Sequence, residues 1–166
     1  MRFRIEQRFA HPLHQVEEAF LEPDLLQRMA ELPQLGRPEL LDQSREGNVV
    51  RRRVRQRFAG DLPSAVTAVV DPARLTWVDE SEADLATHRS DHRVVPDHYG
   101  GRLRSTYVTE LHDDGAGGTV RVTEGEVGVR FPLVGGRVER AIVSELRRYA
   151  ELETELVETW LSERHS

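Results

Sequence analysis

From Gly135 to Ser162 the chain reads as one long amphipathic helix, and no other feature of the sequence limits the fold as much. Val138, Ile142, Leu146, Tyr149, Leu152, Leu156 and Trp160 recur at spacings of four and three, one apolar stripe on a 3.6-residue period. Arg140, Arg147, Glu151, Thr154 and Glu158 occupy the opposite face, and Glu145 is a carboxylate whose phase sets it on the stripe. At ~1.5 Å per residue the helix is roughly 40 Å long. Such a helix needs a broad apolar surface to lie on, and only a large sheet from the middle of the chain offers one.

The rest of the sequence supplies that sheet. Phe3, Ile5, Gln7 and Phe9 alternate with Arg2, Arg4, Glu6 and Arg8, a half-buried first strand. Pro12 opens a short helix with Leu13, Val16 and Phe20 on one face. Pro23 opens another, with Leu25, Leu26, Met29 and Leu32, which Pro33 ends. Strands are then expected over 38–43 and 48–58, joined by Ser44-Arg45-Glu46-Gly47. Residues 61–70 read as a short helix or irregular crossover. Four further strands follow at 75–81, 85–95, 103–111 and 119–130, and Gly125 and Gly128 in the last suggest a bulge or sharp bend. Short links favour antiparallel pairing throughout. The expected class is α+β, a curved seven-stranded antiparallel sheet around a long C-terminal helix, with two short helices after the first strand.

A chain of 166 residues is read as one domain, 1–166, large enough to bury a core. It has no cysteine, hence no disulfide or thiolate chemistry. The N terminus reads as strand and not as a signal peptide, and no apolar run approaches the ~20 residues of a membrane span. A cytoplasmic location is the expectation. Net charge is −6, which argues against nucleic acid as partner, and all 23 basic residues are arginine. Locally, Arg51, Arg53, Arg55 and Arg57 form a basic ladder. It reads either as a weak anionic-surface contact or as cross-strand pairing with Glu80, Glu82, Asp84, Glu39 or Asp42.

Four stretches carry a resemblance: Arg2-Phe3-Arg4-Ile5-Glu6-Gln7, Gly36-Arg37-Pro38-Glu39-Leu40-Leu41, Val70-Asp71-Pro72-Ala73-Arg74-Leu75-Thr76-Trp77, and Phe131-Pro132-Leu133-Val134-Gly135-Gly136-Arg137-Val138-Glu139. The chain resembles DUF2505, an actinobacterial family of unknown function within the START-like, SRPBCC or Bet v 1-like helix-grip superfamily. The resemblance implies a mostly apolar cavity between sheet and helix. Relatives of the fold bind lipids, sterols, polyketides and plant hormones, and a minority are enzymes. A fold so widely reused does not fix a function.

The residues expected to line such a cavity are Phe58, Trp77, His92, Tyr107, Ile142, Leu146 and Tyr149, with Phe131 a further aromatic candidate. His88 and His92, placed four apart on one strand face, would lie about 13 Å apart, too far to converge on a metal at ~2.1 Å. No metal or cofactor is assigned. Asp113 and Asp114 read as turn residues. Glu124 and Glu126 share one side of the last strand with no His or Ser beside them in sequence. No catalytic residue is assigned, since no nucleophile elbow or triad motif is present. The chain is therefore expected to hold a small hydrophobic or amphipathic ligand. An enzyme of cyclase or aromatase type and an interaction domain with a solid core are the alternatives.

Overall fold

The computed structural model describes residues 1–165. Ser166, the last residue of the expected domain, lies outside the described residues. The strands are β1 (Arg2–Phe9), β2 (Glu39–Glu46), β3 (Val49–Arg57), β4 (Thr76–Asp84), β5 (Arg89–Pro96), β6 (Leu103–Asp113) and β7 (Thr119–Val129). The helices are α1 (Leu13–Leu21), α2 (Pro23–Arg28), α3 (Ser64–Thr67) and α4 (Gly135–Arg164). Single 3-10 turns occupy Met29–Glu31 and Pro72–Arg74. All seven strands form one antiparallel sheet in the order β1-β7-β6-β5-β4-β3-β2, a curved trough gripping α4 as expected. No helix among the described residues is long and apolar enough to cross a membrane.

Local chemistry sets the boundaries, and several differ from the sequence reading. The first hairpin turns on Gly47-Asn48 and not on Ser44 to Gly47: Glu46 pairs with Val49, and Gly47 has a φ of 61°, which glycine adopts without steric cost. The bulge lies in β2, between Leu40 and Asp42, and the register through Gly125 and Gly128 is continuous. Gly125 serves a close approach instead. A Cβ there would collide with Tyr107 Cβ and lie 2.5 Å from the Thr106 carbonyl oxygen. Residues 85–88 form a turn and not the start of β5, because Asp84 Oδ1 accepts from the Ala86 N–H (2.9 Å) and His88 takes a φ of 57°.

Two apolar clusters support α4. Toward its C-terminal end, Val157, Trp160 and Leu161 pack with Phe9, Val16, Leu25 and Leu26 of β1, α1 and α2. Toward its N-terminal end, Val138 and Val143 pack with Phe3, Val66, Val70, Val127 and Val129. The most buried line of the helix is thus rotated from the expected stripe and includes Ala150, Glu153 and Val157. Thr154, expected on the outer face, is half-buried and accepts from Gln7 Nε2 (3.1 Å). Ile142, Leu146, Tyr149, Leu152 and Leu156 are half-buried.

Candidate functional site

Between the two clusters lies a cavity of about 340 Å³, walled by the concave face of the sheet on one side and α4 with α1 and α2 on the other. Strand alternation decides what the sheet contributes. β3 presents Val50, Arg52, Val54 and Gln56, β4 presents Trp77, Asp79, Ser81 and Ala83, and β5 presents Ser90, His92 and Val94. Phe58, Trp77, His92, Tyr107, Ile142, Leu146 and Tyr149 lie on its wall. Phe131 does not. It packs edge-on against Tyr99, 5.5 Å between centroids, with the Arg102 guanidinium 5.3 Å over its ring.

One polar seam crosses the apolar lining. The register pairs Arg52 with Ser81, Ser81 with His92, His92 with Tyr107, and Tyr107 with Gly125. His92 stacks on Tyr107 at 4.3 Å and 12°. The Tyr107 hydroxyl donates to Asp79 Oδ2, and Asp79 Oδ1 lies 3.0 Å from His92 Nδ1. With Asp79 ionised, Nδ1 carries the proton, so His92 Nε2 presents a lone pair to the Ser90 hydroxyl, 2.9 Å away. The sequence reading misses Asp79, and it places Ser90 on the face of His92 without giving it a role. They lie on the face of Trp77 and of His92, a fact that period two contains but that carries weight only once β4 is known to pair with β5.

Arg52 escapes the sequence reading for the same reason. It falls between Val50 and Val54 on the inward face. Its Nη1 donates to the Phe20 carbonyl (2.6 Å), while Nε and Nη2 are buried with no partner among the described residues. Burial draws this guanidinium down from its ordinary value, and the Asp79 charge opposes that. Burial likewise pushes the Tyr107 and Tyr149 phenols well above their usual range, the Asp79 charge adding to the first and the Glu153 charge to the second. Both phenols are therefore neutral donors at any ordinary pH, Tyr149 toward Met29 Sδ (3.4 Å).

A second polar group ties the walls together. Arg121 of β7 donates to Gln7 Oε1 (2.8 Å) and Glu153 Oε1 (2.9 Å), and Gln7 Nε2 donates to the Ala150 carbonyl and to Glu153. Glu145 is buried beside Arg148 (3.2 Å). His88 meets Glu17 (3.0 Å) from the 85–88 turn. Glu124 and Glu126 point away from the cavity and pair with Arg4 and Arg2. Arg51, Arg53 and Arg55 pair with Glu82, with Asp42 and Glu80, and with Asp97. Asp113 and Asp114 accept from backbone N–H groups of their own turn. Among the described residues no three of His, Asp and Glu converge as metal ligands would.

The family described as "Protein of unknown function (DUF2505)" matches residues 4–161. The chain belongs to the DUF2505 family. A search of the curated proteins finds no match. Among solved structures this DUF2505 protein is similar to TTHA0849 from Thermus thermophilus, at TM-score 0.71 and 18% identity over 100% of both chains. It is similar to the Zhui aromatase/cyclase from Streptomyces sp. R1128, at TM-score 0.70 and 15% identity over 100% of this chain and 96% of that one. A third similarity is to the di-domain ARO/CYC StfQ from the steffimycin biosynthetic pathway, at TM-score 0.60 and 15% identity, covering 98% of this chain and 46% of that one. At these identities the likeness is one of fold.

Proposed function

We propose that this DUF2505 protein holds a small amphipathic molecule, lipid-like or polyketide-like, between the sheet and α4, as a carrier or sensor. The observation that carries this reading is the cavity itself: about 340 Å³, within the range of small-ligand sites, apolar on most of its wall and crossed by one polar seam. Removal of apolar area from water at ~25 cal/mol per Å² supplies the affinity. Phe58, Trp77, Ile142 and Leu146 take the apolar body. Arg52, His92, Tyr107 and Tyr149 orient an electron-rich group. The names of two structural relatives, both aromatase/cyclases, support a ring-bearing ligand.

The test uses anilinonaphthalene sulfonate and its uncharged parent, phenylnaphthylamine, followed by fluorescence on native protein. Both should bind, and Leu146→Trp, which fills the cavity, should weaken both by about tenfold or more. Arg52→Met should weaken the sulfonate more than its parent. Absence of native-state binding, or binding indifferent to Leu146→Trp, defeats the reading.

The Ser90–His92–Asp79 chain favours a second reading, an enzyme of cyclase or aromatase type. His92 Nε2 would take the acidic proton between two carbonyls of a diketone, Asp79 would steady the imidazolium at Nδ1–H, and the electron pair would pass to a carbonyl oxygen beside Arg52 or Tyr107. Deuterium exchange into an aryl diketone, accelerated by the protein and lost in His92→Gln without loss of binding, would establish it. Exchange at the buffer rate would remove it.

A further inference from the structure

The two ends of the sheet differ sharply. At one end β3, β5 and β7 finish and β1, β4 and β6 begin, as the pairs Arg57 with Thr76, Trp77 with Pro96, and Leu103 with Val129 establish. The loops there, 58–75, 97–102 and 130–134, are bound to one another. Arg130 N donates to the Arg102 carbonyl (2.7 Å), Asp71 N donates to the Tyr99 hydroxyl (3.1 Å), and Tyr99 meets Phe131.

This end carries all four exposed large hydrophobic residues among those described: Met1, Val69, Val95 and Leu133. Leu133 is 101% exposed and has a φ of 69°, the left-handed region a leucine rarely adopts. The same end carries Arg74, Arg102, Arg104, Arg130, Arg137 and Arg140, all exposed, and none makes an ion pair among the described residues. Arg74 and Arg102 lie over the Tyr99 and Phe131 rings. Of the carboxylates at this end, Asp97 and Glu139 are taken by Arg55 and the terminal ammonium, Asp71 accepts from the Ala73 N–H, and Asp61 lies in the same 58–75 loop, so the arginines outnumber the acids. In a chain of net charge −6, this is a local positive surface set around protruding apolar side chains.

We infer that this arginine-rimmed end docks on an anionic lipid surface, with Leu133 and Val69 entering the headgroup boundary and the unpaired arginines meeting the lipid phosphates. The pairing of exposed apolar groups with cations is what distinguishes a bilayer from a purely polyanionic partner, which has nowhere to place a leucine. It also separates this site from the β3 ladder, whose Arg51, Arg53 and Arg55 already hold carboxylates.

Full-length protein sedimented with phosphatidylcholine vesicles, with and without phosphatidylglycerol, tests the assignment. Binding is expected only to the anionic vesicles and should fall as salt rises. Each arginine near the surface contributes about fivefold, so Arg102→Ser, Arg130→Ser and Arg137→Ser combined should weaken binding about a hundredfold. Leu133→Ser should cost about tenfold. The combination Arg51→Ser, Arg53→Ser and Arg55→Ser should cost far less. Circular dichroism and binding of the cavity probe report that each variant is folded. Equal binding to neutral vesicles, no binding to either, indifference to Leu133→Ser, or tighter binding to a short DNA duplex that the same arginine changes abolish would each overturn the inference.

Discussion

Arg121→Met is expected to destabilise the protein by about 3–5 kcal/mol, because it leaves Glu153 charged and buried with its ion partner gone. Glu153 is 6% exposed and Gln7 5%, so bulk solvent reaches the carboxylate poorly once the guanidinium is gone. The lost contact of Arg121 with the Phe20 ring, 4.1 Å from its centroid, adds to the cost. At roughly 2–4 °C per kcal/mol the melting temperature should fall by roughly 6–20 °C. Urea unfolding followed by circular dichroism measures it. The double variant Arg121→Met, Glu153→Leu should recover most of the loss, since replacing both members of a buried pair is often neutral. A single variant within about 0.5 kcal/mol of wild type, the range of surface changes, would mean that the pair is solvated.

Trp160→Ala should cost a similar amount, about 3–5 kcal/mol, by a different route. Trp160 is 3% exposed among Val16, Leu25, Leu26 and Leu161, and its truncation leaves a void that α1 and α2 cannot close. The Arg164 guanidinium, 3.1 Å from the ring centroid, loses its support as well. Hydrogen exchange should quicken in the last turns of α4, while the cavity probe still binds, because Trp160 lies outside the cavity wall. Unchanged exchange in α4 would show that this end of the helix is held elsewhere.

These two residues mark what the sequence can and cannot disclose. Trp160 belongs to a 3.6-residue stripe and is legible from spacing alone. Glu153 and Arg121 lie 32 positions apart, and a carboxylate in a helix reads as solvent-facing until the strand behind it is known to supply a cation. The stripe itself reads slightly off axis because α4 faces two media, packed core along Val143, Val157 and Leu161 and the cavity along Ile142, Leu146, Tyr149 and Ala150. Hydrophobic period gives the width of the buried arc and not which edge borders a void. Arg52 and Asp79 are the same lesson on strands, polar residues in an apolar phase that make sense only when α1 brings the Phe20 carbonyl to one and β5 brings His92 to the other. His88 reads as strand because Ala86 and Thr87 continue the alternation, whereas the Asp84 side chain has already turned the chain. The fold needs only local periodicity, and the site needs the order of strands.

That order also sets a schedule for assembly. β1 is synthesised first, yet its single strand neighbour is β7, with Arg4 reaching Glu124 across 120 positions of chain. β2 to β7 can pair in chain order, through short turns everywhere except residues 58–75 between β3 and β4, while the opening strand must wait for nearly the whole polypeptide and bear the largest closure entropy. Pulse-labelled exchange during refolding should accordingly protect amides of β4 to β6 before those of β1. Early protection of β1 would mean that the chain's two ends find each other first. Until that seam shuts, the walls of the cavity are incomplete, so a ligand can be enclosed as the protein is made and need not always enter afterwards.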